Sequence, residues 1–526
     1  MKRHEKIAFK EYEMNQPMLL PQSLDELIPQ GHLVRLVNSV IESMDIKPLL
    51  KTYKGGGTSS YHPKMLLKVI VYAYSQKIYS SRRIAKALHE NIHMMWISGK
   101  SSPDFRTINR FRSSRLKKIL DDVFAYVLEV LVKNNLVSLE EYFLDGTKLE
   151  ANAGRYTYTW SKSTSRHKSN LQKKIRDLLG HIDAANEREN EKYGDRDLEE
   201  NGEECDLSSE DIEKIAAELD ERLKANPEDK DTEKTAKKLK KDILPKLKQY
   251  EKYESIANGR NSFSKTDHDA TFMRLKDDHL QNGQLRAAYN IQTGTENQFV
   301  TCYSIHQNAG DSVFLKENLE QFQKLHNILP KAVIADAGYG SEENYLYLEN
   351  EGIEHYVKYN YFHKEQTAAF KKKIFDVKNI PYNEESDEYI CPDGKMLKYF
   401  DDEYTKTKTG YVVKSRVYQC DDCSSCQFRS ECISARALPT SNRKVRRSPL
   451  LELFKKRARE NLQSEKGLEY RSRRPIEVET VFGQIKENRG FRRFMLRGLE
   501  KVRIEWGLLC LAHNLTKMHT MTEMGG

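Results

Sequence analysis

Apolar and polar positions follow two different periods along this chain. Over residues 17–135 the apolar residues recur three and four apart, as in "LDELIPQGHLVRLVNSVIESM" and "HPKMLLKVIVYAYSQKI", which predicts helices. "SSRRIAKALHEN" and "SPDFRTINRFRSSRLKKIL" predict two shorter helices, each opened by a Ser able to cap it. With Thr107, Asn109 and several arginines on the second, the pair has the outline of a helix-turn-helix, with a plain helical bundle as the alternative. Residues 160–255 keep helical spacing with few apolar residues. They predict an inserted helical hairpin of coiled-coil character, with the acidic loop "DRDLEENGEECD" between its arms.

Around that insertion the period shortens. "EEYFLDGTKLEANA" is an apolar run ending at Asp145, and "LRAAYNIQTGTENQFVTCYSIHQ" gives two strands joined by the polar "TGTEN". An amphipathic helix, "SVFLKENLEQFQKLHNIL", leads to the buried strand "KAVIAD", which ends at Asp336. "GYGSEENYLYLENEG" supplies a Ser-capped helix stopped by Gly352, and "IEHYVKYN" is the next strand. Strands and helices in this order predict an α/β domain.

At 526 residues the chain is too long for one core, so two or three domains are expected. The boundaries fall at 1–135 (helical), 136–375 (α/β, with the insertion at 160–255), 376–440 (cysteine-rich) and 441–526 (closing helices). No apolar run approaches a membrane span, and "MKRHEKIAFKEYEMNQ" has no apolar signal core. A cytoplasmic protein with reduced thiols is expected, and no membrane partner. The net charge is +9, from 87 Lys and Arg against 78 Asp and Glu, and the basic excess concentrates in 82–118 and 440–503. Such stripes are the electrostatic footprint of nucleic-acid binding, with solvated helix faces as the plainer reading. In the first stripe the candidates for DNA contact are Arg82, Arg83, Arg106, Arg110 and Arg112.

Asp145 and Asp336 each end an apolar strand, and each is followed at once by small residues, Gly146 and Ala337-Gly338. Ligands of α/β sheets bind at the carboxyl ends of strands. A carboxylate there, beside backbone too small to crowd it, suits a divalent cation. Two of them, joined by a third acid from a late helix, suggest a two-metal site for phosphoryl transfer.

The motifs "FLDGTKLEANAGRYTYTW", "TDHDATFM", "AYNIQTG", "VIADAGYGSEENY" and "VETVFGQIKENRGFRRFMLRGLEKVRIEWGLLCLAHNL" resemble the transposases of bacterial insertion sequences. More narrowly they are similar to the DDE group, which has an RNase H-like catalytic core and an N-terminal helical domain. The resemblance runs over nearly the whole chain. It implies Asp145 and Asp336 as the first two acidic ligands, a helix-borne Glu as the third, and Mg²⁺ or Mn²⁺, as two ions, as cofactor. It also implies double-stranded DNA, both element ends and target, as partner, with a dimer on the DNA.

The family often carries Tyr, two residues, Arg, three residues, Glu, six residues, Lys. Counting from Tyr470 gives Arg473 and Glu477, with Gln484 where Lys belongs; counting back from Lys486 gives Glu479, with Pro475 where Arg belongs. Helix geometry favours Glu479 over Glu477. Lys486 lies two turns on over the same face, Gly483 one turn on leaves room for a DNA strand, and Val478, Val481, Phe482 and Ile485 form the docking stripe. Glu477 then falls on the opposite edge with Arg473 and Gln484, a solvated or ion-paired position. Lys486, Arg492, Arg493 and Arg497 are placed to hold phosphates, with Phe491 and Phe494 packing or stacking between them.

Cys391, Cys420, Cys423, Cys426 and Cys432 crowd one segment. In a reducing compartment that density points to metal before disulfide. Zinc takes four thiolates and would leave one spare; an iron–sulfur cluster and a site without metal are the alternatives. The reading is a DNA transposase that cuts at element ends and joins the freed 3′-hydroxyl to target. An RNase H-like nuclease without strand transfer, or a DNA-binding repressor with a dead catalytic domain, would share these features.

Overall fold

The computed structural model describes residues 23–524 apart from 52, 54–59, 194–205, 226–229, 276–283, 436 and 439; for 181–193 and 225 only the backbone is described. Residues 195–205 of the acidic loop, Cys205 among them, lie outside the described residues. The chain divides into two compact units, residues 1–119 with 514–526, and residues 120–513.

The first unit is helical. Helix Leu33–Glu42 buries Val34, Val37 and Ile41, and helix Pro63–Ser75 is buried along nearly its whole length, opened by a proline whose missing N–H costs nothing at that position. The two short basic helices form at Ser81–Glu90 and Phe105–Arg110. Their caps differ from expectation. Ser80 makes no side-chain cap bond, and the second helix is capped by the Asp104 carboxylate, which accepts from Thr107 N at 2.7 Å. An ionised acceptor next to the first turn outcompetes the serines before it. The segment between them folds as its own helix, Ile92–Ile97, capped by Asn91. Three helices therefore stand where two joined by a turn were outlined.

The second unit opens with helix Leu120–Lys133, which the sequence pattern groups with the N-terminal helices. Its Phe124 meets Tyr303 edge to face, centroids 5.3 Å apart, and this contact ties the helix to the sheet. The strands follow in chain order: β1 (Glu141–Glu150), β2 (Tyr158–Trp160), β3 (Ser262–Ser264), β4 (Thr271–Arg274), β5 (Leu285–Glu296), β6 (Phe299–His306), β7 (Ala332–Ala335) and β8 (Glu354–Val357). β1, β7 and β8 are parallel neighbours. β5 lies antiparallel on the other side of β1, and both β4 and β6 pair with β5. The sheet is thus mixed, and the fold is α/β. β5 and β6 form the expected hairpin, but β5 runs on through "TGTE" and the turn is Asn297-Gln298, both with positive φ. Helix Leu315–His326 precedes β7, and helix Glu342–Asn350, capped by Ser341, precedes β8.

Between β2 and β3 the insertion is helical, at Ser161–Tyr193, Ser209–Ala225, Lys230–Lys238 and Leu244–Ala257. It has its own core of Leu171, Ile175, Ile212, Leu219, Leu239 and Leu247. After β8 a second, antiparallel sheet forms from β9 (Tyr382–Asn383), β10 (Glu388–Ile390), β11 (Met396–Lys406), β12 (Val412–Cys420) and β13 (Lys444–Arg447). The closing helix Leu499–Met524 starts where Asp269 accepts from Leu499 N at 2.8 Å and Asp267 from Gly498 N at 3.1 Å, which gives the "TDHD" motif a capping role. No helix among the described residues is long and apolar enough to cross a membrane.

Candidate functional site

β1 and β7 lie side by side in parallel, Leu144 opposite Ala335, so the aspartates that follow are neighbours. Asp336 ends β7 as expected, but Asp145 does not end its strand, because β1 stays paired with β5 as far as Glu150. Asp145 is 6% exposed and its Oδ1 accepts from Gly146 N at 2.8 Å. Asp336 opens the turn Ala337–Tyr339 and accepts from Gly338 N at 2.8 Å. One guanidinium reaches both: Arg474 lies 3.1 Å from Asp145 Oδ2 and 3.8 Å from Asp336 Oδ2. Sequence reasoning passed over Arg474.

The reason lies in the helix that carries it. Pro475–Glu479 is a π-turn, followed by the α-turn Thr480–Gly483 and a second π-turn at Gln484–Asn488. Pro475 cannot donate to the ladder and its ring crowds the preceding turn, which loosens the helix there. A π-turn accommodates one extra residue. Arg474, five positions before Glu479, therefore takes the face that a residue four before would hold in an α-helix. The proline at the expected arginine position is answered by the arginine one place earlier.

The two glutamates separate cleanly. Glu477 is 5% exposed, accepts from Gln298 N at 2.6 Å and pairs with Arg473 at 3.4 Å. Its ion pairing was expected, but its burial against the β5–β6 turn corrects the alternative of a solvated edge. Glu479 is exposed and lines an open groove of about 360 Å³ with Asp145, Gly483 and Lys486. A Cβ on Gly483 would meet nothing within 4 Å, so the slot beside Glu479 is open space. Val478, Val481, Phe482 and Ile485 are all buried, as the docking stripe requires. Lys358, next after β8, is a further cation here. Burial first, then Arg474 and Arg471, pull its ammonium below the usual lysine range, while Asp336 and Glu479 act in the opposite sense.

Beneath the aspartates lies a polar floor that the motifs did not announce. Asn290 and Gln292 on β5 are fully buried, and both amides donate to Asp311 Oδ1, at 2.7 and 2.9 Å. Tyr339, in the Asp336 turn, donates its hydroxyl to Gln292 Oε1. Burial, together with Asp311, Asp145 and Asp336, pushes that phenol well above its ordinary pKa, so it stays protonated. The signal in the sequence was two amides two residues apart in an otherwise apolar strand, "AAYNIQTG".

The basic residues divide. Arg82, Arg83, Arg106 and Arg110 are exposed on the first unit, with Arg82 and Arg106 over the Phe105 ring. Arg112 is not available for DNA. It is 2% exposed, and its guanidinium donates to Tyr79 O at 2.7 Å, Tyr74 Oη at 2.9 Å and Ser81 Oγ at 3.2 Å, a core tie between helices. Arg492 is exposed and paired with Glu487, Arg493 holds Ala151 O and Ala153 O, and Arg497 holds Asn152 O. Phe491 and Phe494 are each 1% exposed and meet edge to face at 5.7 Å, which leaves packing, not stacking on bases, as their role.

All five clustered cysteines line one small cavity of about 20 Å³ beside the second sheet. Burial raises the thiols of Cys420, to about 11, and Cys432, and neighbouring cysteines push the same way. Among the described residues no three His, Cys, Asp or Glu side chains stand as a ready metal-holding group, here or in the groove. The donor chemistry still fits in each place. Five cysteines line one small space, and two carboxylates lie on one guanidinium that a cation would have to displace.

A family model described as a transposase DDE domain matches residues 390–519, a span that holds Glu479 and the five cysteines but neither aspartate. A second, described as Transposase domain (DUF772), matches residues 22–114. No curated protein and no solved structure matches the chain.

Proposed function

We propose that this chain, which its two family matches indicate is an insertion-sequence transposase of the DDE type, binds the ends of its element, cuts them and joins them to target DNA. The observation that carries this is the meeting of Asp145 and Asp336 on one guanidinium, with Glu479 in the groove beside them. In this reading the core is RNase H-like, and Asp145, Asp336 and Glu479 hold two Mg²⁺ (or Mn²⁺) ions. Such ions, when bound, activate water and neutralise charge on the attacking and leaving oxygens.

The chain's own groups supply the rest. Asp145 is fixed by Gly146 N–H and Asp336 by Gly338 N–H, so neither carboxylate must reorganise as charge develops. Arg474 offsets the repulsion between them. Gly483 leaves the width of a strand, and Lys486 and Lys358 offer cations for its phosphate. Water attacks phosphorus, the P–O3′ bond breaks, and the oxygen leaves as a 3′-hydroxyl with 5′-phosphate on the other piece. The 3′-hydroxyl then attacks phosphorus of a target phosphodiester in the same groove; the new P–O bond forms as the target's P–O3′ bond breaks, and the target strand leaves with its own 3′-hydroxyl. Arg82, Arg83, Arg106 and Arg110 on the first unit, and Arg492, Arg493 and Arg497 on the second, would track the backbone of DNA bound as a dimer in the cytoplasm.

The cysteine cavity would hold structural Zn²⁺ through four of its five thiols. A strand-transfer assay with pre-cut ends tests the central reading. Joining that requires Mg²⁺ and is lost in Asp145→Ala is expected; cleavage without joining makes the protein a nuclease, and binding without either makes it a repressor.

A further inference from the structure

The hydrogen bonds beneath the acids have one possible direction. A carboxylate only accepts, so Asp311 Oδ1 obliges both Asn290 and Gln292 to present their NH₂ groups to it. The orientation of a buried amide is otherwise two-fold ambiguous. With Gln292 Nε2 committed, also reaching Asn290 Oδ1 at 3.1 Å, only its carbonyl is left for Tyr339, and the phenol must donate. Tyr339 belongs to the turn that Asp336 opens, and its carbonyl is held in turn by Asn344 Nδ2 at 2.8 Å.

The same carboxylate abuts both acid-bearing segments. Gly146 is the register partner of Gln292, and a Cβ there would stand 2.5 Å from Gln292 Nε2 and 2.8 Å from Asp311 Oδ1. A Cβ on Gly338 would stand 3.9 Å from Asp311 Cβ. The residue after Asp145 and the turn after Asp336 thus close on one side chain, and only glycine lets β1 come so near.

We infer that Asp311 is the positioning residue of the acidic site: by setting the direction of the Asp311–Gln292–Tyr339 hydrogen bonds it locks the Asp336 turn against β1 beside Asp145. This rests on the functional reading above for what the aspartates do, but the device itself is a matter of polarity. Asp311→Asn keeps the shape and lets the Gln292 amide invert, so Tyr339 faces a donor and the turn is released. Gln292→Glu sets two carboxylates against each other. The double exchange, Asp311→Asn with Gln292→Glu, restores the order of donors and acceptors along the path to Tyr339, at the expense of a bond from Asn290, which keeps Asn308 O as acceptor: the new amide at position 311 would give its NH₂ to the new carboxylate at position 292, whose other oxygen takes the phenol.

The test measures Mn²⁺ affinity of DNA-free protein by titration calorimetry, alongside Mg²⁺-dependent cleavage of an end duplex. Asp311→Asn is expected to weaken Mn²⁺ binding by about 10–100-fold, the cost typical of losing a group that orients metal ligands, and the double exchange to recover most of that loss. Wild-type affinity in Asp311→Asn, or a double exchange no better than Asp311→Asn, overturns the inference. If Asp311→Asn does not fold, Tyr339→Phe carries the test, since it removes only the hydroxyl; it must also weaken Mn²⁺ binding, and unchanged affinity overturns the proposal. Should the wild type neither bind Mn²⁺ nor cleave DNA, the functional reading fails by itself. Thermal melting of the three exchange variants then decides the polarity: a double exchange that melts above both single variants supports it, and one that melts with the lower of them overturns it.

Discussion

The groove at the edge of the main sheet and the cavity beside the second sheet both gather metal-type donors, yet they are built in opposite ways. The groove is open, about 360 Å³, lined by hard carboxylates, and its charge is balanced by Arg474, Lys486 and Lys358. The cavity is small, about 20 Å³, lined by soft thiols, and burial raises two of them, Cys420 and Cys432. A site that works on a polymer must admit it and keep its charges ready. A site that only holds the fold gains by excluding water and by costing protons to fill. The contrast is the ground for proposing chemistry at the groove and a structural role at the cavity.

The strongest way to break this comparison is to remove one of the two aspartates that Arg474 bridges. Asp145→Ala or Asp336→Ala is expected to lower cleavage at least about 10³-fold while end binding, measured by gel shift, stays near wild type. Mg²⁺-dependent cleavage surviving in either variant would refute the assignment. Next comes the pair of glutamates. Glu479→Gln should lower cleavage about 10²–10³-fold at unchanged melting temperature. Glu477→Gln should do the reverse, keeping most activity but losing about 1–3 kcal/mol of stability, because its buried charge holds Gln298 N–H and Arg473. The opposite ordering in paired rate and melting measurements would restore the count from Tyr470.

The cavity answers to different handles. Chelation strong enough to strip zinc should lower the melting temperature of the second unit, whereas withdrawal of Mg²⁺ should stop cleavage and leave melting unchanged. Because burial raises the Cys420 thiol to about 11, it is protonated at neutral pH and zinc must displace the proton. Apparent zinc affinity should therefore rise with pH between 6 and 8, by about tenfold per unit for each proton released. A flat profile, or no zinc in protein purified under reducing conditions, argues against a thiolate site. The smallest effect expected is that of Lys486→Met, which keeps the buried stem and loses one phosphate contact. Cleavage should fall by about tenfold, with a shallower salt dependence of DNA binding.

Much of this was legible in one dimension. Alternation and caps placed β7, β8 and the helix between them almost to the residue, because a buried strand and a Ser-opened helix leave local signatures. Asp336 was visible for the same reason, since it stops an apolar run before a small residue; Asp145 was read the same way, but β1 runs on past it to Glu150, because pairing with β5 continues through Gly146. Glu479 was preferred to Glu477 from which helix face was apolar, and it is Glu479 that lines the groove. Other features had no local trace. Arg112 reads as one more arginine in a basic stripe, and only packing against Tyr74, Tyr79 and Ser81 turns it inward. Helix Leu120–Lys133 carries an ordinary amphipathic pattern, and the contact of Phe124 with Tyr303 decides its unit.

What the sequence determined by itself was therefore the kind of element and the family its motifs resemble, because these depend on neighbours within a turn or a strand. What only the tertiary structure decided was which groups meet. Arg474 reaches both aspartates because a π-turn shifts it by one residue, and Asp311 stands under them because β1, β5 and the Asp336 turn converge there. Helical register and strand order are set by the energy of the whole packed unit, and no window of the chain contains it.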